Sequence, residues 1–151
     1  MLQKILVCLD GSSLAEQILP YVTEVALGCG SRVVLLEVSL PPSATVEPLT
    51  GFYRPTPIEK ILREEVEAQA YLKKVAQRLR KRGLKVSSVT IPGDPGETIV
   101  SYAKENAVGL IALSTHGRSG LVRLAFGSVA DFVLKRSGLP ILIRKPEIKP
   151  D

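Results

Sequence analysis

Short apolar runs alternate with helical patterns along this chain, and that alternation restricts its fold more than any other feature of the sequence. Each run is predicted as a strand, because continuous apolar runs are typical of strands buried on both faces. The predicted strands cover residues 4–9, 32–38, 84–91, 108–113 and 140–145. Strands that alternate with helices predict a parallel sheet with helices on both faces. Right-handed crossovers then favour an open five-stranded α/β sheet in the order 3-2-1-4-5, a Rossmann-like fold.

The segments between the strands carry recognisable helix start and stop signals. Residues 12–30 are predicted as one helix with a mild kink at Pro20, because proline cannot donate the backbone hydrogen bond of a helix interior. Ser13 and Glu16 form a capping-box pattern at its start. The other helices are predicted over residues 58–83, 93–107 and about 128–137.

The length of 151 residues predicts a single domain over 1–151, since a chain of this size can bury one sizeable core. Residues 39–57 contain five prolines and are predicted as a long loop, and residues 146–151 as a loose tail. No stretch approaches the roughly 20 apolar residues of a membrane span. The N-terminal region also lacks the pattern of a signal peptide, so a cytoplasmic location is predicted.

The charge and the cysteines exclude several classes of function. The formal charge of +5 is a mild excess without interleaved aromatic residues, and neither nucleic-acid nor membrane binding is predicted. Cys8 and Cys29 lack the spacing of a metal site or a redox pair and are predicted as small buried hydrophobic residues. The only histidine, His116, has no cysteine or histidine companion, so no metal site is predicted. No catalytic triad pattern is present.

The predicted topology brings two polar segments together. In open α/β sheets the ligand lies beyond the carboxyl ends of the strands, where the strand order reverses. Here that point lies between the first and fourth strands. Residues 10–12, Asp-Gly-Ser, follow the first, and residues 114–117, Ser-Thr-His-Gly, follow the fourth. The sequence therefore predicts a ligand crevice between these two segments.

The segment STHGRSGLVRLAFGS, residues 114–128, ends where the last helix begins. Helix N-termini present N–H groups and partial positive charge, and glycine permits close approach, so Gly127 and Ser128 indicate a phosphate site. The Ser128 hydroxyl can donate to a phosphate or cap its own helix with Asp131 three residues later. The spacing matches neither the P-loop nor the GxGxxG turn.

The sequence allows two interpretations for Asp10 and two for the arginines of the loop. An acid in the first turn suits a ribose hydroxyl or a base amino group better than a phosphate, although acids at strand ends also cap loops. Arg118 and Arg123 can face phosphates or be solvated loop charges. For His116 the alternatives are an outer contact of the site and a role in the geometry of the loop.

Three segments together resemble the universal stress protein (UspA-type) family over residues 4–145. They are KILVCLDGSSLAEQILPYV, GDPGETIVSYAKE and LSTHGRSGLVRLAFGSVADFVLKRSGLPILIRK. The resemblance implies the 3-2-1-4-5 sheet of adenine nucleotide alpha hydrolase-like proteins. The family's nucleotide-binding branch carries G-x-x-G, nine residues and G-[S/T], and holds ATP at the crevice. Gly117, Gly127 and Ser128 match this pattern, whereas Ser114 stands at the first glycine position.

The resemblance also implies roles for individual residues. The acid at Asp10 contacts the nucleoside, and Val38 offers a backbone contact to adenine. The candidate nucleotide-binding residues are Leu9, Asp10, Gly11, Ser12, Val38, Leu113, Ser114, His116, Gly117, Arg118, Gly127, Ser128, Val129 and Ala130.

The function implied by the resemblance is that of an ATP-binding homodimer, with or without Mg²⁺, whose state or partners in stress signalling depend on the nucleotide. Strand 140–145 would otherwise be a bare apolar edge, and pairing with its copy satisfies that edge. One alternative is a slow ATPase or phosphotransferase, although no acid lies between Ser114 and Ser128. Another is a dimeric interaction module without nucleotide, which Ser114 favours.

Overall fold

The computed structural model describes residues 1–39, 45–46, 53–54, 58–115 and 127–147. Its central sheet has five parallel strands, β1 (Lys4–Leu9), β2 (Arg32–Ser39), β5 (Lys85–Pro92), β6 (Leu110–Ser114) and β7 (Ile141–Arg144). They lie in the order β5-β2-β1-β6-β7, which is 3-2-1-4-5 when the sheet strands alone are counted along the chain. The predicted fold class and strand order are confirmed. A short antiparallel pair, β3 (Thr45–Val46) and β4 (Tyr53–Arg54), lies within the predicted long loop.

The helices occupy both faces of the sheet. They are α1 (Ser13–Glu16), α2 (Leu19–Cys29), α3 (Ile58–Lys81), α4 (Pro95–Glu105) and α5 (Ser128–Arg136). Because side chains alternate between the two faces of a strand, β1 supplies two separate cores. Ile5 and Val7 pack in the core formed with α1, α2 and α3, whereas Leu6 packs in the core formed with α4 and α5.

The segment predicted as one kinked helix is two helices, so that prediction is wrong. Pro20 lies in the first turn of α2, where a helix N–H has no intrahelical partner and its loss costs little. The proline therefore starts a new helix. The cap of α1 is Ser12, whose Oγ accepts a hydrogen bond from the Ala15 N–H at 3.1 Å, and not the predicted Ser13.

Other local predictions agree with the structure to different degrees. Asp94 caps α4 by accepting a hydrogen bond from the Glu97 N–H at 3.0 Å. Cys29 is exposed near the end of α2 and Cys8 is half-buried, so the prediction that both cysteines are buried is wrong for Cys29. Ser39 belongs to β2 and not to the long loop. The rest of that loop and residues 148–151 of the predicted tail lie outside the described residues, apart from β3 and β4.

Candidate functional site

A cavity of about 310 Å³ lies at the carboxyl ends of β1, β2 and β6, on the sheet face that α4 and α5 cover. Small-molecule sites typically occupy about 300–1,000 Å³, so the volume suits a small ligand. Its lining residues are Cys8, Leu9, Asp10, Ala15, Leu36, Val38, Pro95, Ile99, Leu113, Ser114, Thr115, Gly127, Ser128 and Val129. The crevice predicted between the first and fourth strands is therefore present as a cavity.

The structure brings together eight of the predicted site residues around this cavity. They are Leu9, Asp10, Val38, Leu113, Ser114, Gly127, Ser128 and Val129. Gly11 lines a neighbouring cavity on the far side of Asp10, and Ala130 is buried and does not line the first cavity. Ser12 does not line it either but is hydrogen-bonded to Asp10. His116, Gly117 and Arg118 lie outside the described residues.

Several lining residues were not predicted. Leu36 lies two residues before Val38 on β2, so the two-residue period of a strand would have found it. Cys8 precedes the predicted Leu9 but was interpreted as a core residue. Ile99 and Pro95 belong to α4, which the sequence did not connect to the site because their approach depends on how that helix packs.

The wall on the β1 side, here called the Asp10 wall (residues 10–16), is held by side-chain hydrogen bonds. The Asp10 Oδ1 atom accepts from the Ser12 N–H at 2.9 Å and from the Ser12 hydroxyl at 2.6 Å. Gly11 has a φ of 82°, a left-handed conformation that favours glycine. Asp10 therefore shapes its own loop, as the capping alternative stated, and it also lines the cavity.

The outer side of the Asp10 wall is attached to α3. The Glu16 carboxylate lies 2.7 Å from the Arg78 guanidinium, and it also accepts a hydrogen bond from the Tyr71 hydroxyl at 3.3 Å. Burial and the negative charge of Glu16 raise the pKa of Tyr71 above its ordinary value, so the phenol stays protonated and can donate. These contacts hold α1 from the side opposite the cavity.

The wall on the β6 side, here called the α5 wall (Thr115 and residues 127–130), has a different construction. Gly127 is the N-cap of α5 and has no side chain with which to cap it. Ser128 is the first helical residue and is exposed, whereas Asp131 forms an ion pair with Lys135 at 2.8 Å. Asp131 is thus engaged on the helix surface, which disfavours the capping alternative for Ser128. The first N–H groups of a helix have no partner within it and attract anions.

A close backbone approach requires glycine at position 127. A Cβ atom added there would lie 2.0 Å from the Thr115 carbonyl oxygen, well inside any real contact distance. Gly127 has a φ of −66°, so the requirement is one of space and not of backbone conformation. The glycine that the sequence assigned to phosphate access also allows α5 to begin against the end of β6.

Ser114, where the family pattern has glycine, occupies an ordinary strand conformation. It is the last residue of β6 and pairs with Arg144 of β7. Among the described residues, the only non-glycine with a positive φ is Ala107, so serine carries no backbone strain at 114. Its hydroxyl donates a hydrogen bond to the Ala15 carbonyl oxygen of α1 at 3.2 Å. Ser114 thereby connects β6 to the Asp10 wall.

The floor of the cavity is mainly apolar. Leu36, Val38, Ile99 and Leu113 line it beside Cys8. Burial raises the pKa of the Cys8 thiol to about 12, so this group is neutral at physiological pH and adds no charge to the floor. Such a surface suits a flat, weakly polar ring, whereas the polar groups stand at the two walls. Within the described ranges, no three His, Cys, Asp or Glu side chains are grouped to hold a metal ion.

The described part of the chain contains no helix that is long and apolar enough to cross a membrane. The sequence model of the universal stress protein family matches residues 1–145. Universal stress protein YxiE of Bacillus subtilis is 30% identical over 146 residues, covering 95% of this chain and 99% of its own length.

Solved structures of similar proteins have the same fold. The structure of MJ0577 from Methanocaldococcus jannaschii superposes with a TM-score of 0.80 and 28% identity, over 99% of both chains. A universal stress protein from Archaeoglobus fulgidus, solved in complex with dAMP, gives a TM-score of 0.66 at 23% identity, over 95% of this chain and 98% of that one.

Proposed function

Because the chain belongs to the universal stress protein family, we propose that it binds ATP in the cavity between β1 and β6. The observation that carries this proposal is the arrangement of three chemistries around one cavity. An apolar floor accepts the adenine, the Asp10 wall offers acceptors to the ribose, and the N-terminus of α5 receives the phosphates. The dAMP complex of the Archaeoglobus fulgidus relative supports an adenine nucleotide as the ligand class.

Each wall has a defined role in this proposal. The Asp10 carboxylate is already oriented by Ser12, so a ribose hydroxyl meets an acceptor in a fixed position. Gly127 brings the first turn of α5 to the cavity without a side chain in the way. Val38 offers its backbone to the adenine. His116, Gly117 and Arg118 complete the phosphate side in this proposal. Mg²⁺, when present, is held largely by the nucleotide phosphates.

The nucleotide acts in this proposal as a signal and not as a substrate. The protein is a cytoplasmic homodimer that pairs through β7, and the bound nucleotide changes its state or its partners in a stress response. In support, β7 is at one edge of the described sheet, and its four residues, Ile141–Arg144, are all half-buried in the single chain. Such an edge is stabilised by a copy of itself across a twofold axis.

Calorimetric titration with ATP tests the binding. We expect a dissociation constant in the micromolar range, about −8 kcal/mol, and an increase in melting temperature in millimolar ATP. Mass spectrometry of nucleotide released from freshly purified protein identifies the form bound in the cell. No heat together with an unchanged melting temperature would contradict the proposal. Rapid release of inorganic phosphate from ATP would favour an ATPase instead.

Light scattering tests the dimer. We expect a mass of about twice 16.3 kDa at micromolar protein, and a lower mass when Ile143 is replaced by lysine on the edge strand. The exposed Ser88→Ala change on β5, at the opposite edge, serves as the control and leaves the mass unchanged. A monomeric mass for the unaltered protein would refute pairing through β7.

A further inference from the structure

Helix α1 is too short to hold its position by its own backbone. It has only four residues, and isolated helices shorter than about 12–15 residues are marginal in water. The backbone bonds at 16, 17 and 18 are long, at 3.3, 3.3 and 3.4 Å. The place of α1 therefore depends on contacts with other elements. Because α1 directly follows the Asp10 turn, those contacts also decide where that turn lies.

Several side-chain contacts fix this helix. Ser12 caps it, Glu16 attaches its outer side to α3, and the Ser114 hydroxyl donates to its Ala15 carbonyl oxygen at 3.2 Å. Gln17, at the C-terminal end of the helix, exchanges two hydrogen bonds with the Glu147 backbone, at 2.9 and 2.8 Å. The Ser114 contact crosses from β6 to the Asp10 wall, and both of its partners line the cavity. It therefore joins the two sides of the crevice.

The strand that carries Ser114 is well anchored. Ser114 pairs with Arg144 in the ladder between β6 and β7, and the Thr115 N–H donates to the Arg144 carbonyl oxygen at 3.0 Å. A hydroxyl on such a strand is a fixed point, whereas the one-turn helix is the part that can shift. A glycine at this position has no hydroxyl and cannot form the contact.

We propose that Ser114 is a positioning residue for the nucleoside, acting through its hydrogen bond to Ala15. The bond holds α1, and with it the Asp10 turn, at the separation from β6 at which the cavity accepts a nucleoside. This inference rests on the proposed nucleotide binding. In this proposal, serine in place of the pattern's first glycine adds a hydrogen bond between the two walls of the cavity.

The test compares Ser114→Ala with the matched strand control Ser88→Ala. Loss of one hydrogen bond is worth about 1 kcal/mol, so we expect Ser114→Ala to weaken both AMP and ATP by the same factor, about fivefold. In the free protein, hydrogen exchange of amides 15–18 becomes faster. Ser114→Thr keeps the hydroxyl and restores the slow exchange. Ser88 is exposed on β5, and its change alters neither measurement.

Three outcomes would overturn this role. An affinity loss for ATP alone would mean that the hydroxyl acts on the phosphates. Unchanged affinity for both nucleotides, with a lowered melting temperature, would leave Ser114 a stabilising role only. Unchanged exchange in α1 would show that the bond does not hold the helix. If the unaltered protein binds neither nucleotide, the proposed function fails, and exchange in the free protein then decides whether Ser114 holds α1.

Discussion

The two walls of the cavity are built in opposite ways. The Asp10 wall is held by side chains, with Asp10 and Ser12 bonded to each other and Glu16 paired with Arg78. The α5 wall depends on the lack of a side chain at Gly127, which lets the helix start against the Thr115 carbonyl. Loss of a hydrogen bond leaves the backbone of the Asp10 wall in place, whereas the α5 wall has no room for an added Cβ atom at Gly127.

This difference teaches where substitutions in the site will act. Hydrogen bonds contribute about 1 kcal/mol each, and their loss leaves the backbone path intact. A side chain that overlaps a backbone atom forces the backbone itself to move, so its cost in stability is large. A side chain added at Gly127 should therefore have one large effect on both stability and binding, whereas the loss of single hydrogen bonds from the Asp10 wall should have smaller, graded effects.

The largest effect is expected for Gly127→Val. The new Cβ atom collides with the Thr115 oxygen, so α5 must move away from β6. We expect a loss of about 3 kcal/mol in the free energy of unfolding, measured in urea, and at least tenfold weaker ATP binding. Gly28→Ala is the control, because Gly28 lies in α2 with nothing within 4 Å of an added Cβ. It should be neutral or slightly stabilising. Equal stabilities for the two variants would contradict the collision.

A smaller effect is expected for Asp10→Ala. The change removes the acceptor of two hydrogen bonds from Ser12, so we expect about 2 kcal/mol lower stability together with weaker binding of ATP. Asp10→Asn keeps a neutral acceptor and should lose about half as much stability. Urea denaturation and calorimetry measure the two effects. If the alanine variant were as stable as the unaltered protein, the turn would not depend on these hydrogen bonds.

The stability of the protein should fall at alkaline pH because of Cys8, which lies in the floor of the cavity. Burial raises the folded-state pKa of Cys8 from 9.0 to about 12, so below pH 9 the thiol is neutral in both folded and unfolded chains. Above pH 9 the unfolded chain loses this proton first, and stability should fall by up to about 1.4 kcal/mol per pH unit from this group. Cys8→Ala should flatten the decline in urea denaturation measured across this pH range. Cys29→Ala should not, because Cys29 is exposed. An unchanged slope in Cys8→Ala would refute the assignment.

The smallest effect on stability is expected for Ser128→Ala. The side chain is exposed at the start of α5, so we expect a change within about 0.5 kcal/mol. ATP should bind a fewfold more weakly relative to AMP, in contrast to the equal losses expected for Ser114→Ala. The ratio of the two dissociation constants is the measurement. An equal loss for AMP and ATP would assign Ser128 to the nucleoside side.

Periodicity and turn signals were enough to predict the sheet and the place of the crevice. Asp94 was recognised as a helix cap because its partner, the Glu97 N–H, lies only three residues away. The sequence predicts the α1–α2 segment wrongly, because a proline such as Pro20 suits both a kink within a helix and the first turn of a new helix. Leu36 was missed although the period of β2 contained it, and Ile99 was missed because α4 reaches the site only through packing.

By itself, the sequence determined the order of the strands and the edge of the sheet at which the cavity opens. Hydrophobic periodicity, helix caps and glycines are local signals that extend over a few residues, and they locate the strands and helices. Right-handed crossovers then restrict the order of the strands in the sheet. Only the tertiary structure decided why Gly127 must be glycine and what Ser114 does. The Thr115–Gly127 approach and the Ser114–Ala15 bond join different elements, the latter across 99 residues of chain. Such contacts depend on how the helices and strands pack against one another, and a pattern of a few neighbouring residues does not determine that packing.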